Sequence, residues 1–221
     1  MNHIVKIISV EHVTHDVIRF TIQKPQGYKF KPGQATEVSI NTPALKNEKR
    51  PFTFTSLNDN HHLELTIKIY QNHNGITKEL GKLKHGDELI IREVWGAIEY
   101  KGEGVFIAGG AGITPFIAIL RQLNSENKIA NNKLIFTNKT ERDIILEKEL
   151  DEILGDNFIN TLTDEKKGGY ENGKIDTDFL KEKIDNFSQH FYVCGPPPFV
   201  EAISKALSNL GAKVDSVIFE K

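Results

Sequence analysis

The hydrophobic period of this chain changes once, and that change limits its possible folds more than any other feature. From residue 3 to about residue 100, short β-type runs alternate with turn residues. The candidate strands are residues 4–9, Val17–Gln23, Ala35–Ile40, 52–56, 63–70 and 88–92, divided by Pro25, Gly27, Pro32-Gly33, Pro43, Asn58 to Asn60 and Gly86-Asp87. Strands this short and this evenly spaced argue a small barrel or sandwich, interrupted by one short helix at 75–80. After Lys101-Gly102-Glu103-Gly104 the pattern becomes buried-looking strands alternating with amphipathic helices. The strands fall at 105–108, 134–137, Phe158–Leu162, 191–194 and Val217–Phe219, and the helices at 115–123, 141–154, 177–184 and 198–210. That is the signature of a parallel sheet with crossover helices. The expected fold class is two domains: an antiparallel β domain over residues 1–101, then an α/β domain over residues 102–221 with a parallel five-stranded sheet.

A length of 221 residues suits two such units. Basic and acidic residues number 28 and 30 and are interspersed, so the net charge of -2 gives no global field for gripping nucleic acid or an anionic membrane. Cys194 is the only cysteine, which excludes an intrachain disulfide, a four-cysteine zinc site and an iron–sulfur cluster held by this chain alone. No apolar run approaches the ~18 residues needed to span a bilayer. The expectation is a cytoplasmic protein, a monomer or weak dimer, without membrane insertion or a nucleic-acid partner. The eight histidines lack metal-ligand spacing, and no metal site is assigned.

Two motifs carry chemistry. Val105-Phe106-Ile107-Ala108-Gly109-Gly110-Ala111-Gly112-Ile113-Thr114-Pro115 reads as a buried strand, a tight glycine turn and a helix start, with Thr114 as cap and Pro115 as first helical residue. Glycines let the backbone approach a pyrophosphate, and unpaired N–H groups at a helix start bind the anion. Pro115 stands where the usual dinucleotide fingerprint has a third glycine. Phe191-Tyr192-Val193-Cys194-Gly195-Pro196-Pro197-Pro198-Phe199 repeats the layout, placing Cys194 at a strand's carboxyl end, where ligands of open parallel sheets collect. In the first half, Arg50-Pro51-Phe52-Thr53 opens a strand whose alternation sends Phe52 and Phe54 to one face and Thr53 and Thr55 to the other. Further on, Ile67-Lys68-Ile69-Tyr70 leads to Gly75-Ile76-Thr77 at a short helix.

These pieces, in this order, resemble the ferredoxin–NADP reductase superfamily over nearly the whole chain. The resemblance implies an antiparallel flavin-binding β-barrel followed by a nucleotide-binding α/β domain. Arg50-Pro51-Phe52-Thr53 is similar to the family's Arg-x-Tyr-Ser/Thr motif. It implies that Arg50 neutralises a flavin phosphate, Phe52 lies against the flavin and the Thr53 hydroxyl bonds near N5, while Phe52 lacks the phenol of the usual Tyr. Ile67, Lys68, Ile69, Gly75, Ile76 and Thr77 match the segment that lines the adenosine side and caps the pyrophosphate in FAD-using members, favouring FAD over FMN. Phe30-Lys31-Pro32-Gly33-Gln34 matches a structural barrel turn. Gly109, Gly110, Gly112, Ile113, Thr114 and Pro115 resemble the pyrophosphate loop, and Cys194-Gly195-Pro196 the Cys-Gly-Pro motif, with Phe199 replacing a more usual Met.

The implied function is hydride transfer from nicotinamide C4 to flavin N5, with Thr53, Cys194 and Glu220 as catalytic candidates and Phe219 as a possible cover for the flavin. Electrons would then pass to a separate one-electron carrier, most often ferredoxin or flavodoxin in this family. The alternatives are a reductase of free flavin or another small acceptor, and a sensor subunit that binds without turnover. Residues 127–140 hold no carboxylate for a ribose diol, and Asn138 and Lys139, with Lys166 and Lys167, lean the reading toward NADPH over NADH.

Overall fold

The computed structural model describes residues 2–72, 75–96 and 98–213 and the backbone of 217–219. The first half contains β1 (His3–His12), β2 (Val17–Gln23), β3 (Ala35–Ile40), β4 (Arg50–Thr53), β5 (His62–Lys68), the one-turn helix α1 (Ile76–Leu80) and β6 (Glu88–Trp95). The strands pair antiparallel in the order β4-β3-β6-β1-β2-β5. An isolated bridge from Phe54 to Leu65 joins the two outer strands, so the sheet closes into a barrel. This bridge is also why the strand expected at 52–56 runs instead from Arg50 to Thr53: past Thr53 the chain leaves β3 to reach β5. Phe20, Phe54, Leu65 and Ile91 fill the barrel, each fully enclosed.

The second half contains β7 (Gly104–Gly109), a 3-10 turn (Gly110–Ile113), α2 (Thr114–Ser125), β8 (Lys133–Asn138), α3 (Glu147–Leu154), β9 (Phe158–Leu162), β10 (Glu171–Asn172), α4 (Thr177–Lys183), β11 (His190–Cys194), α5 (Pro197–Asn209) and β12 (Val217–Phe219). All strand pairs here are parallel, in the order β10-β9-β8-β7-β11-β12. The five expected strands form the sheet, and the two-residue β10 adds an edge. One face packs on α2 and α3 through Phe106, Phe116, Leu120 and Leu150; the other packs on α4 and α5 through Ile107, Leu180, Phe191 and Ile203.

Two local expectations need correction. The helix expected over 141–154 is two pieces. Thr140 and Asp143 form a reciprocal capping box around a single 3-10 turn, Ile144 is extended, and Leu146 adopts a left-handed conformation (φ 54°) before α3 begins. Thr114 is not a cap: the 3-10 turn already winds the chain into α2, so Thr114 is its first residue and Pro115 its second. The Thr114 hydroxyl instead donates to the Ala111 carbonyl (3.1 Å). Among the described residues no helix is long and apolar enough to cross a membrane.

Candidate active site

Chain direction along the sheet reverses at β7. The chain steps outward from β7 to β8 and β9, then returns to place β11 on β7's other side. The crevice beyond the carboxyl ends of β7 and β11 is thus a topological switch point, the usual ligand position in open α/β sheets. Gly109–Ile113 and Cys194-Gly195-Pro196 flank it. They touch backbone to backbone: a Cβ on Gly112 would stand 2.4 Å from the Cys194 carbonyl oxygen and 2.6 Å from the Gly195 Cα. Gly110 has φ +53° and open space above it, so its peptide is available to an approaching ligand. The Phe199 ring packs on both turns, 3.1 Å from a Cβ position on Gly109 and 2.6 Å from one on Gly195.

Asn138 ends β8, beside β7, where it is buried and its side-chain Nδ2 has no hydrogen-bond partner among the described residues. A buried amide donor left unmade is costly, and a ligand oxygen would satisfy it. Lys139 follows, exposed. Lys167 is ion-paired with Glu141, and the loop after β9 crosses Lys139, with the Asp164 N–H donating to its carbonyl (2.9 Å). Ile113 and Pro115 are buried in the α/β core, and Cys194 is buried with them.

On the barrel, the alternation of β4 holds: Phe54 is interior, Phe52 packs partly against the same core, and Thr53 and Thr55 point the other way. Phe52 therefore offers at most part of its ring to a ligand. Thr53 pairs in register with Ala35, and Ala35 with Trp95, so these three share the outer face. Arg50 and Pro51 are exposed; one Arg50 nitrogen donates to the Lys49 carbonyl (2.7 Å), and no carboxylate partners it among the described residues. Gly75 caps α1 with open space around it, ahead of the half-buried Thr77. A free cation, a hydroxyl and a glycine with room beside it suit an anionic dinucleotide such as FAD.

Four of the expected contacts with that ligand go elsewhere. The side chains of Ile67, Ile69 and Ile76 are barrel core, leaving only their backbone for a cofactor. The Lys68 ammonium is 2.7 Å from Asp16, within a cluster in which His15 lies 3.7 Å from both Asp16 and Asp143. Thr140 bonds to Asp143 outweigh the effect of burial and hold that carboxyl below its ordinary pKa. Since Asp143 belongs to the α/β half, this cluster is a seam between the halves. Phe219 is described only through its backbone, which pairs with Val193; Glu220 lies outside the described residues.

Comparison with known proteins agrees with this geometry. A family model described as an FAD-binding domain matches residues 2–100, and one described as an oxidoreductase NAD-binding domain matches residues 106–205. NADH-cytochrome b5 reductase 2-A of Vanderwaltozyma polyspora is 32% identical over 220 residues, covering 90% of this chain and 72% of that protein. The chain belongs to the ferredoxin–NADP reductase superfamily. The reductase component of propane 2-monooxygenase from Rhodococcus jostii is 26% identical, with 98% of this chain and 62% of that protein covered. A ferredoxin NADP+ reductase from Neisseria gonorrhoeae, solved with bound FAD and NADP, superposes with a TM-score of 0.86 at 21% identity, covering 99% and 97% of the two chains. As a member of this superfamily the protein is a flavin-dependent oxidoreductase of nicotinamide nucleotides, with FAD as cofactor.

Sequence reasoning missed how this reductase joins its halves. Arg121, on α2, reaches the barrel and α3 at once, donating to the Thr55 carbonyl (2.6 Å), Glu64 (2.7 Å) and both oxygens of Glu149 (2.5 and 2.9 Å). The one available signal was that Arg121 is the only charge in α2.

Proposed function

We propose that the protein oxidises NADH and passes electrons singly to a separate haem carrier of the cytochrome b5 class. What carries this reading is the switch-point crevice, with the unsatisfied Asn138 amide at its edge, on an α/β half clamped to the barrel strand bearing Thr53. FAD, when bound, supplies what no side chain here can: it accepts a hydride and releases electrons one at a time. Arg50 holds its phosphate, the Gly75 to Thr77 turn its pyrophosphate, and Thr53 presents a hydroxyl to the reacting edge. Gly110 to Thr114 hold the nucleotide pyrophosphate, Asn138 its ribose, and Cys194-Gly195-Pro196 the far wall. We place the division between the two binding units at residues 101 and 102.

NADH rather than NADPH is favoured because Lys167 is occupied by Glu141, and Glu165 and Asp164 sit in the same loop, offsetting Lys139 and Lys166 where a 2′-phosphate would lie. The relatives named for cytochrome b5 support that carrier over ferredoxin or flavodoxin as first acceptor.

Anaerobic titration of the yellow protein tests this: NADH is expected to bleach the flavin band near ~450 nm faster than NADPH. Turnover should then be faster with cytochrome b5 than with ferredoxin, flavodoxin or free flavin. A flavin band that neither nucleotide bleaches would leave a binding-only sensor, and turnover confined to small acceptors would leave a flavin or chelate reductase. Arg50→Ala should weaken FAD retention by about tenfold or more, the worth of one charge-assisted phosphate contact. Equilibrium dialysis measures it, and undiminished occupancy would remove Arg50 from the site.

A further inference from the structure

Arg121 is buried enough that its charge must be satisfied by the protein, with 18% of its side chain exposed. Burial works against that charge, but the bonds and charges of Glu149 and Glu64 outweigh it and hold the guanidinium above its ordinary pKa. Glu149, reciprocally, is held below the usual carboxylate range by Arg121. The carboxylate on the barrel side is itself fixed: Glu64 accepts from the Thr55 hydroxyl (2.7 Å), its N–H donates to Ser56 (3.0 Å), and Arg19 lies 3.8 Å away. The guanidinium's planar fork therefore reaches, from α2, the Thr55 run of chain, β5 and α3 at once. Lysine, a point charge with three rotatable donors, could not reproduce the bidentate grip on Glu149 while also reaching Thr55.

What Arg121 connects is specific. Its own helix, α2, starts at Thr114, where the glycine turn ends. Its barrel partner, the Thr55 carbonyl, lies two residues past Thr53 on the same run of chain. A second contact ties the same elements: Gly33, in the turn whose Gln34 carbonyl accepts from the Phe54 N–H, lies against Ile119 of α2.

We propose that Arg121 is a positioning residue that fixes the separation between the nucleotide turn and the Thr53 strand, and thereby the rate of hydride transfer, while touching neither nucleotide nor flavin. The inference rests on the hydride-transfer reading above. Reacting atoms must meet at about 3 to 3.5 Å, and a misplacement of about 1 Å from a remote change can cost about 100-fold. The apolar contacts at the seam, such as Val17 within the α/β core cluster, keep the halves together without the clamp but set no such fine distance.

Arg121→Met, Arg121→Lys and Glu149→Gln test the proposal, the last sparing the fold should the first fail to express. Stopped-flow reduction by NADH should fall about 100-fold in Arg121→Met and about tenfold in Glu149→Gln, with nucleotide affinity and FAD occupancy near wild type and the primary deuterium isotope effect raised. Arg121→Lys should recover only part of the loss. A readout independent of activity is the distance between nitroxide labels at exposed positions 29 and 181, by pulsed electron resonance. It should broaden in Arg121→Met and stay narrow in wild type. Reduction at the wild-type rate, or a lost rate with an unchanged distance distribution and isotope effect, overturns the proposal. If wild type itself is not reduced by either nucleotide, the hydride-transfer reading fails instead, and the label distances still report whether the clamp sets the geometry.

Discussion

Gly112→Ala is expected to destabilise the α/β half by about 3 kcal/mol and to slow flavin reduction by about 100-fold, because the new methyl group meets backbone on its far side. The Cβ would lie 2.4 Å from the Cys194 oxygen, 2.5 Å from its carbonyl carbon and 2.6 Å from the Gly195 Cα. A side chain in that position could turn away, but a strand end cannot. β11 must therefore withdraw from β7 where the crevice opens, and the pairing of Cys194 with Ala108 goes with it. Two neighbours serve as controls. Gly109→Ala meets the Phe199 ring first, at 3.1 Å, and the ring can rotate. Gly110→Ala meets nothing within 4 Å and should cost only the left-handed backbone at φ +53°, about 1 kcal/mol. FAD occupancy should stay at the wild-type level in all three, since the barrel site is untouched. Thermal melting and stopped-flow reduction measure the two effects, and a Gly112→Ala protein that melts like Gly110→Ala would show that the two turns are not held in contact.

All the strands of both halves except the two-residue β10 could be read from the sequence because each is bracketed by turn residues and its burial pattern is set locally. Pro32-Gly33 and Gly86-Asp87 turn the chain just ahead of β3 and β6 for reasons contained in their own backbone. The glycine turn and the Cys-Gly-Pro turn were legible for the same reason, although their backbone contact was not, since it depends on β11 returning to β7. The helix expected over 141–154 shows the limit of periodicity. Ile144, Ile145, Leu150 and Leu154 are all buried and stand at helical spacing, yet Leu146 reverses the backbone between the two pairs. Burial reproduced the pattern without the helix. Lys68 and Arg121 escaped for another reason. Their charges are satisfied by partners distant in sequence, the Thr55 carbonyl lying 66 positions from Arg121, and no local rule distinguishes such a residue from a solvated charge. The C-terminal expectations for Glu220 and the Phe219 side chain fall outside the described residues.

Tyr192→Phe is expected to lower stability by about 2 kcal/mol while leaving the reduction rate near wild type, the opposite profile to the Arg121 variants. Tyr192 lies at the centre of the β11 pairing with β7, fully buried, its ring stacked against both Phe106, at 4.5 Å, and Tyr100, at 5.8 Å. Its hydroxyl is used completely: it donates to the Gly102 carbonyl (2.7 Å) and accepts from the Lys101 N–H (2.9 Å) and the Gly102 N–H (3.1 Å). Burial pushes the phenol above its ordinary pKa, so it remains a donor through the neutral and mildly alkaline range. Removing the oxygen preserves the stack but leaves two N–H groups and a carbonyl in the linker without that partner. Close by, Asn132 accepts from the Gly104 N–H (3.1 Å) and donates to the Tyr100 hydroxyl (3.1 Å), so the linker stays seated even when loosened. For a chain of this size, a loss of about 2 kcal/mol lowers the melting temperature by about 4 to 8 °C. Tyr192→Ala also loses the ring and should cost about 4 kcal/mol or more, as deletion of a buried aromatic does. The contrast follows from where each residue attaches: Tyr192 fastens the linker to the middle of a strand, upstream of the crevice, whereas Arg121 connects the helix that begins at the crevice to the strand that carries Thr53. If Tyr192→Phe slows reduction as strongly as Arg121→Met at a temperature where both are folded, the linker too sets the reacting distance, and the division between a fastening and a positioning contact is wrong.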